Sequence, residues 1–367
     1  MSDEIKPSEI SLSTIHGVNS GDGMGSNSLV SVDKNLLIDA NQLSVGGVIS
    51  DGTNSTVYEG LYRSIPVAIK VIQPDMVSNV RSDLQKKFSR EVSMLSRVKH
   101  DNIIQFIGAI AEPTMMIITE LMKGGTLQKY LWSIRPNCPD LKLSLNFALE
   151  ISRAMQYLHQ NRIIHRDLKP SNLLLTEDKK KIKLADFGLA REEADDEMTT
   201  EAGTYRWMAP EMFSVEALRV GEKKYYDHKV DVYSFSMILW ELLTNNTPFK
   251  GRNNVMVAYA AAKNQRPSID KIPAGIVPLL QSCWAENSED RPEFVQIAEF
   301  LGNFLNSICE SANIVPPSIL PEAEHSTNEE ETNDISATDC LMDRSNGTKK
   351  KLPNICLRFL RCFGHCL

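Results

Sequence analysis

Long hydrophobic runs are missing from this chain: nowhere in its 367 residues do about 18 apolar residues follow one another, the length a bilayer-spanning helix needs. The first residues are polar and acidic rather than basic and then apolar, so no secretory leader is expected and the main domain is expected in the cytosol. A surplus of positive charge is also lacking. With 40 Lys+Arg against 47 Asp+Glu the formal net charge is -7, which argues against a general nucleic-acid binder, because neutralising phosphates takes a basic surface. The seven cysteines are badly placed for a disulfide framework: among them Cys138, Cys283 and Cys309 are scattered, while Cys356, Cys362 and Cys366 crowd the end. No internal repeat is visible. What remains is an ordinary balance of apolar and charged residues, enough for one large domain or two moderate ones.

Residues 1–42 are rich in Ser, Gly and Asn, without sustained periodicity, and read as a flexible arm that buries too little to offset its ordering entropy. Short β-type runs follow from 43, among them Thr56-Val57-Tyr58 and Val67-Ala68-Ile69-Lys70-Val71-Ile72, punctuated by Gly46-Gly47, Gly52 and Gly60. This is a strand meander. "SDLQKKFSREVSMLSRVKH" then spaces Phe88, Val92, Leu95 and Val98 along one helix face, with Ser82 or Asp83 as N-cap and Glu91 on the inward side. The character changes at Gly124-Gly125, after which helices dominate to about 307. "LNFALEISRAMQYLHQ" repeats Phe147, Ile151, Met155 and Leu158 on one face, whereas "VDVYSFSMILWELLT" is apolar almost all round and should be a central buried helix. The pattern is α+β in two lobes, about 43–122 and 123–307.

Residues 308–348 read as an acidic polar linker, with Pro316, Pro317, Pro321 and the run Glu329-Glu330-Glu331. The last stretch, 349–367, sets Arg358, Arg361 and His365 against Cys356, Phe359 and Phe363 as a short basic amphipathic helix. Three readings stand for it: contact with an anionic membrane, strengthened by acyl chains on Cys356, Cys362 and Cys366; docking on a lobe or a partner; or a Cys/His metal site.

Four motifs carry chemistry. "VAIK" ends in Lys70, "IIHRDLKPSNLLL" supplies His165, Arg166, Asp167, Lys169 and Asn172, "KLADFGLA" supplies Asp186, and "GTYRWMAPE" ends in Glu211. In this order they form the protein-kinase signature, and the chain resembles a eukaryotic protein kinase over roughly 43–307. "GTYRWMAPE", "HRDLKPSNLLL", "KLADFGLARE" and "GEKKYYDHKVDVYSF" are similar to the plant Raf-like branch of the tyrosine-kinase-like group. Its members are serine/threonine kinases classed with the mitogen-activated protein kinase kinase kinases. The resemblance implies a two-lobed protein kinase fold: a small antiparallel sheet with one helix, and a larger, mainly helical lobe. It also implies transfer of the γ-phosphate of ATP, with Mg2+ or alternatively Mn2+, to Ser/Thr of protein substrates, mitogen-activated protein kinase kinases among them. The alternative is a nucleotide-binding scaffold without efficient transfer, but dead kinases usually lose a charged residue and none is lost here.

Phosphoryl transfer requires a concentrated negative charge to be neutralised and aimed. Lys70 is a compact cation suited to the α- and β-phosphates, with Glu91 as its anchor, and Asp186 and Asn172 offer hard oxygen ligands for the metal. Asp167 should accept or orient the substrate hydroxyl proton, and Lys169 should reach the γ-phosphate. The resemblance implies an adenine pocket with Ile49, Val57 and Ala68 above and Leu174 below, Thr119 at its back, and the backbone of Glu120 and Met122 at its edge. His165 is expected to pack on Phe187 rather than act as a base, and Glu211 to pair with Arg291. Thr199 and Thr200 are the expected regulatory sites, where a phosphate would pair with Arg166, while Thr204 is read as structural.

One motif is incomplete. A phosphate-cradling loop of pattern G-x-G-x-x-G-x-V wants three glycines, but "ISDGTNSTVYEG" places Ser50 and Ser55 at the first and third and keeps only Gly52 at the second. Gly52 stands where the backbone must come closest to the phosphates. The serines cost about 1 kcal/mol of backbone preference and leave the N–H donors in place, so a working but atypical loop is expected.

Overall fold

The computed structural model describes residues 32–52, 55–73, 81–192, 205–213 and 226–312. The arm up to 31, the expected regulatory sites Thr199 and Thr200, Thr204, the linker beyond 312 and the cysteine-bearing tail lie outside the described residues. Five strands, β1 (Leu43–Asp51), β2 (Ser55–Tyr62), β3 (Ile65–Ile72), β4 (Phe106–Ile110) and β5 (Met116–Glu120), form one antiparallel sheet in the order β1-β2-β3-β5-β4. Alternation along β3 divides its side chains: Val67, Ile69 and Val71 are buried in a small core with Met116 and Ile118, so Ala68 and Lys70 belong to the opposite face. Helix α1 (Arg81–Arg97) covers part of that sheet with Phe88, Val92 and Leu95, and Val98 is buried just past its end. Neither Ser82 nor Asp83 precedes the helix. Both fall inside its first turn, where the Asp83 carboxylate favours the positive end of the helix dipole.

The expected arm ends earlier than its composition suggested. Ile38 N–H donates to Ala109 O at 3.0 Å, a parallel bridge joins Leu37 to Ala109, and the Ile38 side chain packs so tightly over Gly108 that a Cβ there would collide with it. Asp33 and Asp39 each cap a 3-10 turn by accepting the N–H two residues on. Residues 32–42 therefore belong to the sheet's outer layer, carried by the apolar run Leu36-Leu37-Ile38.

The remainder is mainly helical: α2 (Leu127–Ile134), α3 (Leu141–Gln160), α4 (Lys229–Thr244), α5 (Asn254–Ala262), α6 (Val277–Cys283) and α7 (Phe294–Ala312). Two short antiparallel pairs lie among them, β6 (Ile163–Ile164) with β9 (Arg191–Glu192) and β7 (Leu173–Leu175) with β8 (Ile182–Leu184). Thr126 and Asp140 cap α2 and α3 with side-chain oxygens. Every residue of α4 is buried, as its all-round apolar surface required, and Phe147, Ile151, Met155 and Leu158 of α3 join the same core. Helix α7 runs past 307 into the stretch read as linker, with Ile308 packed on the core. The fully buried Arg291 guanidinium pairs with the Glu211 carboxylate, Nη2 to Oε2 at 3.0 Å, as expected. Among the described residues no helix is long and apolar enough to cross a membrane.

Candidate active site

Three distant segments converge on one ammonium group. Lys70 Nζ donates to Glu91 Oε1 of α1 at 2.7 Å and to Asp186 Oδ1, beyond β8, at 2.9 Å. Burial works against the lysine charge, but the carboxylates of Asp186 and Glu91 outweigh it and hold the Lys70 pKa above its ordinary value. The same charge holds the Asp186 carboxyl well below the usual range, although its side chain is 45% exposed and water screens part of the effect. Burial pushes the Glu91 carboxyl up, with Lys70 offsetting part of that push. Gly188 N–H donates to Asp186 Oδ1 at 3.3 Å, and a Cβ at Gly188 would lie 3.6 Å from Glu91 Oε2.

The second cluster lies on the loop between β6 and β7. Asp167 Oδ2 accepts from Lys169 Nζ at 2.6 Å and from Asn172 Nδ2 at 2.9 Å, and Asn172 Nδ2 also donates to the Asp167 carbonyl at 2.9 Å. Both amide hydrogens of Asn172 are thus used on Asp167, and its Oδ1 is left as an acceptor. The loop hangs from Asp231, a fully buried carboxylate in the first turn of α4. Asp231 accepts the backbone N–H of His165 at 2.9 Å and of Arg166 at 2.8 Å, and its Oδ2 lies 2.9 Å from His159 Nε2. Burial pushes its pKa up, but His159 and the backbone donors outweigh this and keep it low. Arg166 and Asp186 both hold left-handed backbone, φ +69° and +63°, a conformation costing about 1–3 kcal/mol for residues other than glycine. The Asp231 bonds hold the first in place and the Lys70 contact holds the second. His165 is fully buried with its ring 5.3 Å from Phe187, edge to face, as expected of a packing residue.

Strand register assembles the remaining residues. Val57 is opposite Lys70 and Ala68 opposite Thr119, so all four share one face of the sheet. Ile49 lies in β1 and Leu174 in β7, bridged to Thr126. The Glu120 carboxylate is engaged by Lys183 at 2.6 Å and Gln105 N–H at 2.7 Å. Met122 makes no backbone hydrogen bond among the described residues. In the glycine-poor loop, Gly52 N–H donates to Ser55 O at 3.0 Å, and a Cβ on Gly52 would lie 3.1 Å from that oxygen. Thr56 staples its base, donating to Asp51 and accepting from Gln73, both at 2.7 Å.

The family model for protein tyrosine and serine/threonine kinases matches residues 43–301. The chain belongs to the protein kinase family. It is 42% identical over 274 residues to serine/threonine/tyrosine-protein kinase HT1 of Arabidopsis thaliana, covering 72% of this chain and 67% of that protein. Serine/threonine-protein kinase STY46 of the same plant is 40% identical over 277 residues, 74% of this chain and 46% of the relative. RGS domain-containing serine/threonine-protein kinase A of Dictyostelium discoideum is 36% identical over 281 residues, 76% of this chain and 24% of the relative. The kinase thus spans less than half the length of the latter two. These plant relatives agree with the Raf-like resemblance, and family membership implies ATP with a divalent metal and protein substrates. Sequence reasoning missed Asp231 and the Thr56 staple; a lone carboxylate in the first turn of an otherwise apolar helix was the available signal for the former.

Proposed function

We propose that this kinase transfers the γ-phosphate of ATP to serine or threonine hydroxyls of signalling proteins, mitogen-activated protein kinase kinases being the favoured class. The convergence of Lys70, Glu91 and Asp186 from three distant segments is the observation that carries the reading. An ionised Asp186 and the Asn172 Oδ1 supply the hard oxygens that suit Mg2+, and Mn2+ takes the same donors. Bound there, the metal would neutralise phosphate charge.

Lys70, held by Glu91, takes the α- and β-phosphate charge. Asp167 accepts or orients the proton of the substrate hydroxyl, and Lys169 beside it offsets the negative charge of the moving group. Ile49, Val57, Ala68 and Leu174 enclose the adenine, Thr119 guards its back, and the Glu120 and Met122 backbones take its edge. Gly52 lets the loop approach the phosphates. Phosphate on Thr199 or Thr200 would pair with Arg166 and order the activation segment. Lys169 within "HRDLKPSN" and the names of the relatives favour Ser/Thr, although one of those names adds tyrosine. The basic cysteine-bearing tail supports a cytoplasmic enzyme with a membrane-associated fraction.

The test is transfer from labelled Mg-ATP onto the chain itself and onto a generic basic protein, with the phosphorylated residue type identified. Label on Ser/Thr that disappears in Lys70→Met and Asp167→Asn is expected. Nucleotide binding without transfer in the wild-type chain contradicts the reading.

A further inference from the structure

Away from the catalytic cluster, His159, His228 and Glu293 bring one imidazole nitrogen each and a carboxylate oxygen to within 4.8 Å of one another. They come from three elements: the last turn of α3, the residue ahead of α4, and the residue ahead of α7. The two rings meet edge to face at 4.9 Å. Glu293 Oε2 lies 3.1 Å from His228 Nε2, and its Oε1 lies 2.8 Å from Lys229 Nζ.

His159 decides what this cluster can do. Its side chain is only 8% exposed, and Nε2 is occupied by Asp231. Its Nδ1 is buried with no hydrogen-bond partner among the described residues. A buried nitrogen without a partner is costly and calls for an explanation. With Nε2 given to the Asp231 carboxylate, Nδ1 is the nitrogen left to face another ligand. A histidine whose second nitrogen is fixed by a carboxylate is the usual outer support of a metal ligand.

We propose that His159 Nδ1, His228 Nε2 and the Glu293 carboxylate form a site for a divalent transition metal of the zinc type, separate from the metal used with nucleotide. Two imidazoles and a carboxylate match the mixed nitrogen and oxygen donors of Zn2+, whereas Mg2+ takes oxygen alone. Bonds of about 2.1 Å hold tetrahedral ligand atoms roughly 3.4 Å apart, so the partly exposed His228 and Glu293 close on the buried His159 when the ion binds. Lys229 keeps the other Glu293 oxygen. Any proton on His228 Nε2 is released, so affinity falls as pH falls. Through Asp231 the site braces the N–H contacts of His165 and Arg166, which makes its role structural.

The untagged full chain, free of nucleotide, is titrated with Zn2+ against a chromophoric competitor and its melting temperature is followed. His228→Gln and Glu293→Gln are compared with a variant carrying serine at Cys138, Cys309, Cys340, Cys356, Cys362 and Cys366, every cysteine but the buried Cys283. We expect one equivalent bound, a melting temperature raised by Zn2+ in the wild type and the serine variant, and binding at least tenfold weaker in both site variants. No uptake by the wild type, titrations unchanged by both site substitutions, or binding abolished by the serine variant overturns the proposal. Circular dichroism of the two site variants guards against misfolding as the cause.

Discussion

The loop joining β1 to β2 is held at its base by Gly52 to Ser55 and by Thr56 to Asp51 and Gln73, and Val48 and Ile49 beside it are open to solvent. The loop between β6 and β7 is buried, tied through two backbone N–H groups to Asp231, and crossed by the Asp167, Lys169 and Asn172 contacts. Both bear on the same proposed chemistry. The difference fits the two serines in the first: the charged groups of the proposed reaction lie in the second, where a misplaced one would be felt at the reacting atoms.

Breaking the anchored side should have the largest effect. Asp231→Ala leaves the His165 and Arg166 N–H groups and His159 without their acceptor, at about 1–3 kcal/mol for each buried group. Denaturant unfolding should show a loss on the order of 3–5 kcal/mol, accompanied by a fall in phosphate transfer. Glu211→Ala strands the buried Arg291 guanidinium and should cost about 3 kcal/mol in the same measurement.

A smaller effect comes from Glu241 of α4, which accepts from the Trp207 indole at 3.3 Å and lies 3.4 Å from Arg135. Burial pushes its pKa from 4.5 up to about 7, against the pull of Arg135. The folded state then holds this proton more tightly than the unfolded chain, so its contribution to stability falls as pH rises from about 4.5 to 7. Replacing it by Gln removes that slope. The stability of Glu241→Gln relative to wild type should rise across the interval by on the order of 1–3 kcal/mol, read from unfolding curves at several pH values. A constant difference across the interval would contradict the assignment. The smallest effect belongs to the loop between β1 and β2: Ser50→Gly with Ser55→Gly should change the KM for ATP by about threefold or less, a difference within 1 kcal/mol.

Much of the candidate site was legible because the proposed chemistry demands particular charged residues at particular spacings. Lys70, Asp167, Asn172 and Asp186 could be named from their motifs, and Glu91 from a carboxylate set among apolar helix neighbours that wants a partner. Glu211 with Arg291 and His165 with Phe187 were named from the resemblance. Asp231 escaped because its partners lie more than 60 residues earlier, and periodicity reports only that α4 is buried. Residues 32–42 escaped for another reason: their polar composition hides three apolar residues whose contacts exist only once β4 is in place. Val57 and Ala68 were named from the resemblance alone; that they share a sheet face with Lys70 and Thr119 takes strand register, which no local pattern supplies.

The most direct measurement of the central contrast is kcat for phosphate transfer by the wild-type chain, the Ser50→Gly/Ser55→Gly variant and Asp167→Asn, assayed side by side at saturating Mg-ATP. The account predicts the first two within about threefold of each other and a loss of about a hundredfold or more for the third. A glycine-restored loop that raises kcat by two orders of magnitude, or an Asp167→Asn variant that keeps near-normal activity, would contradict it.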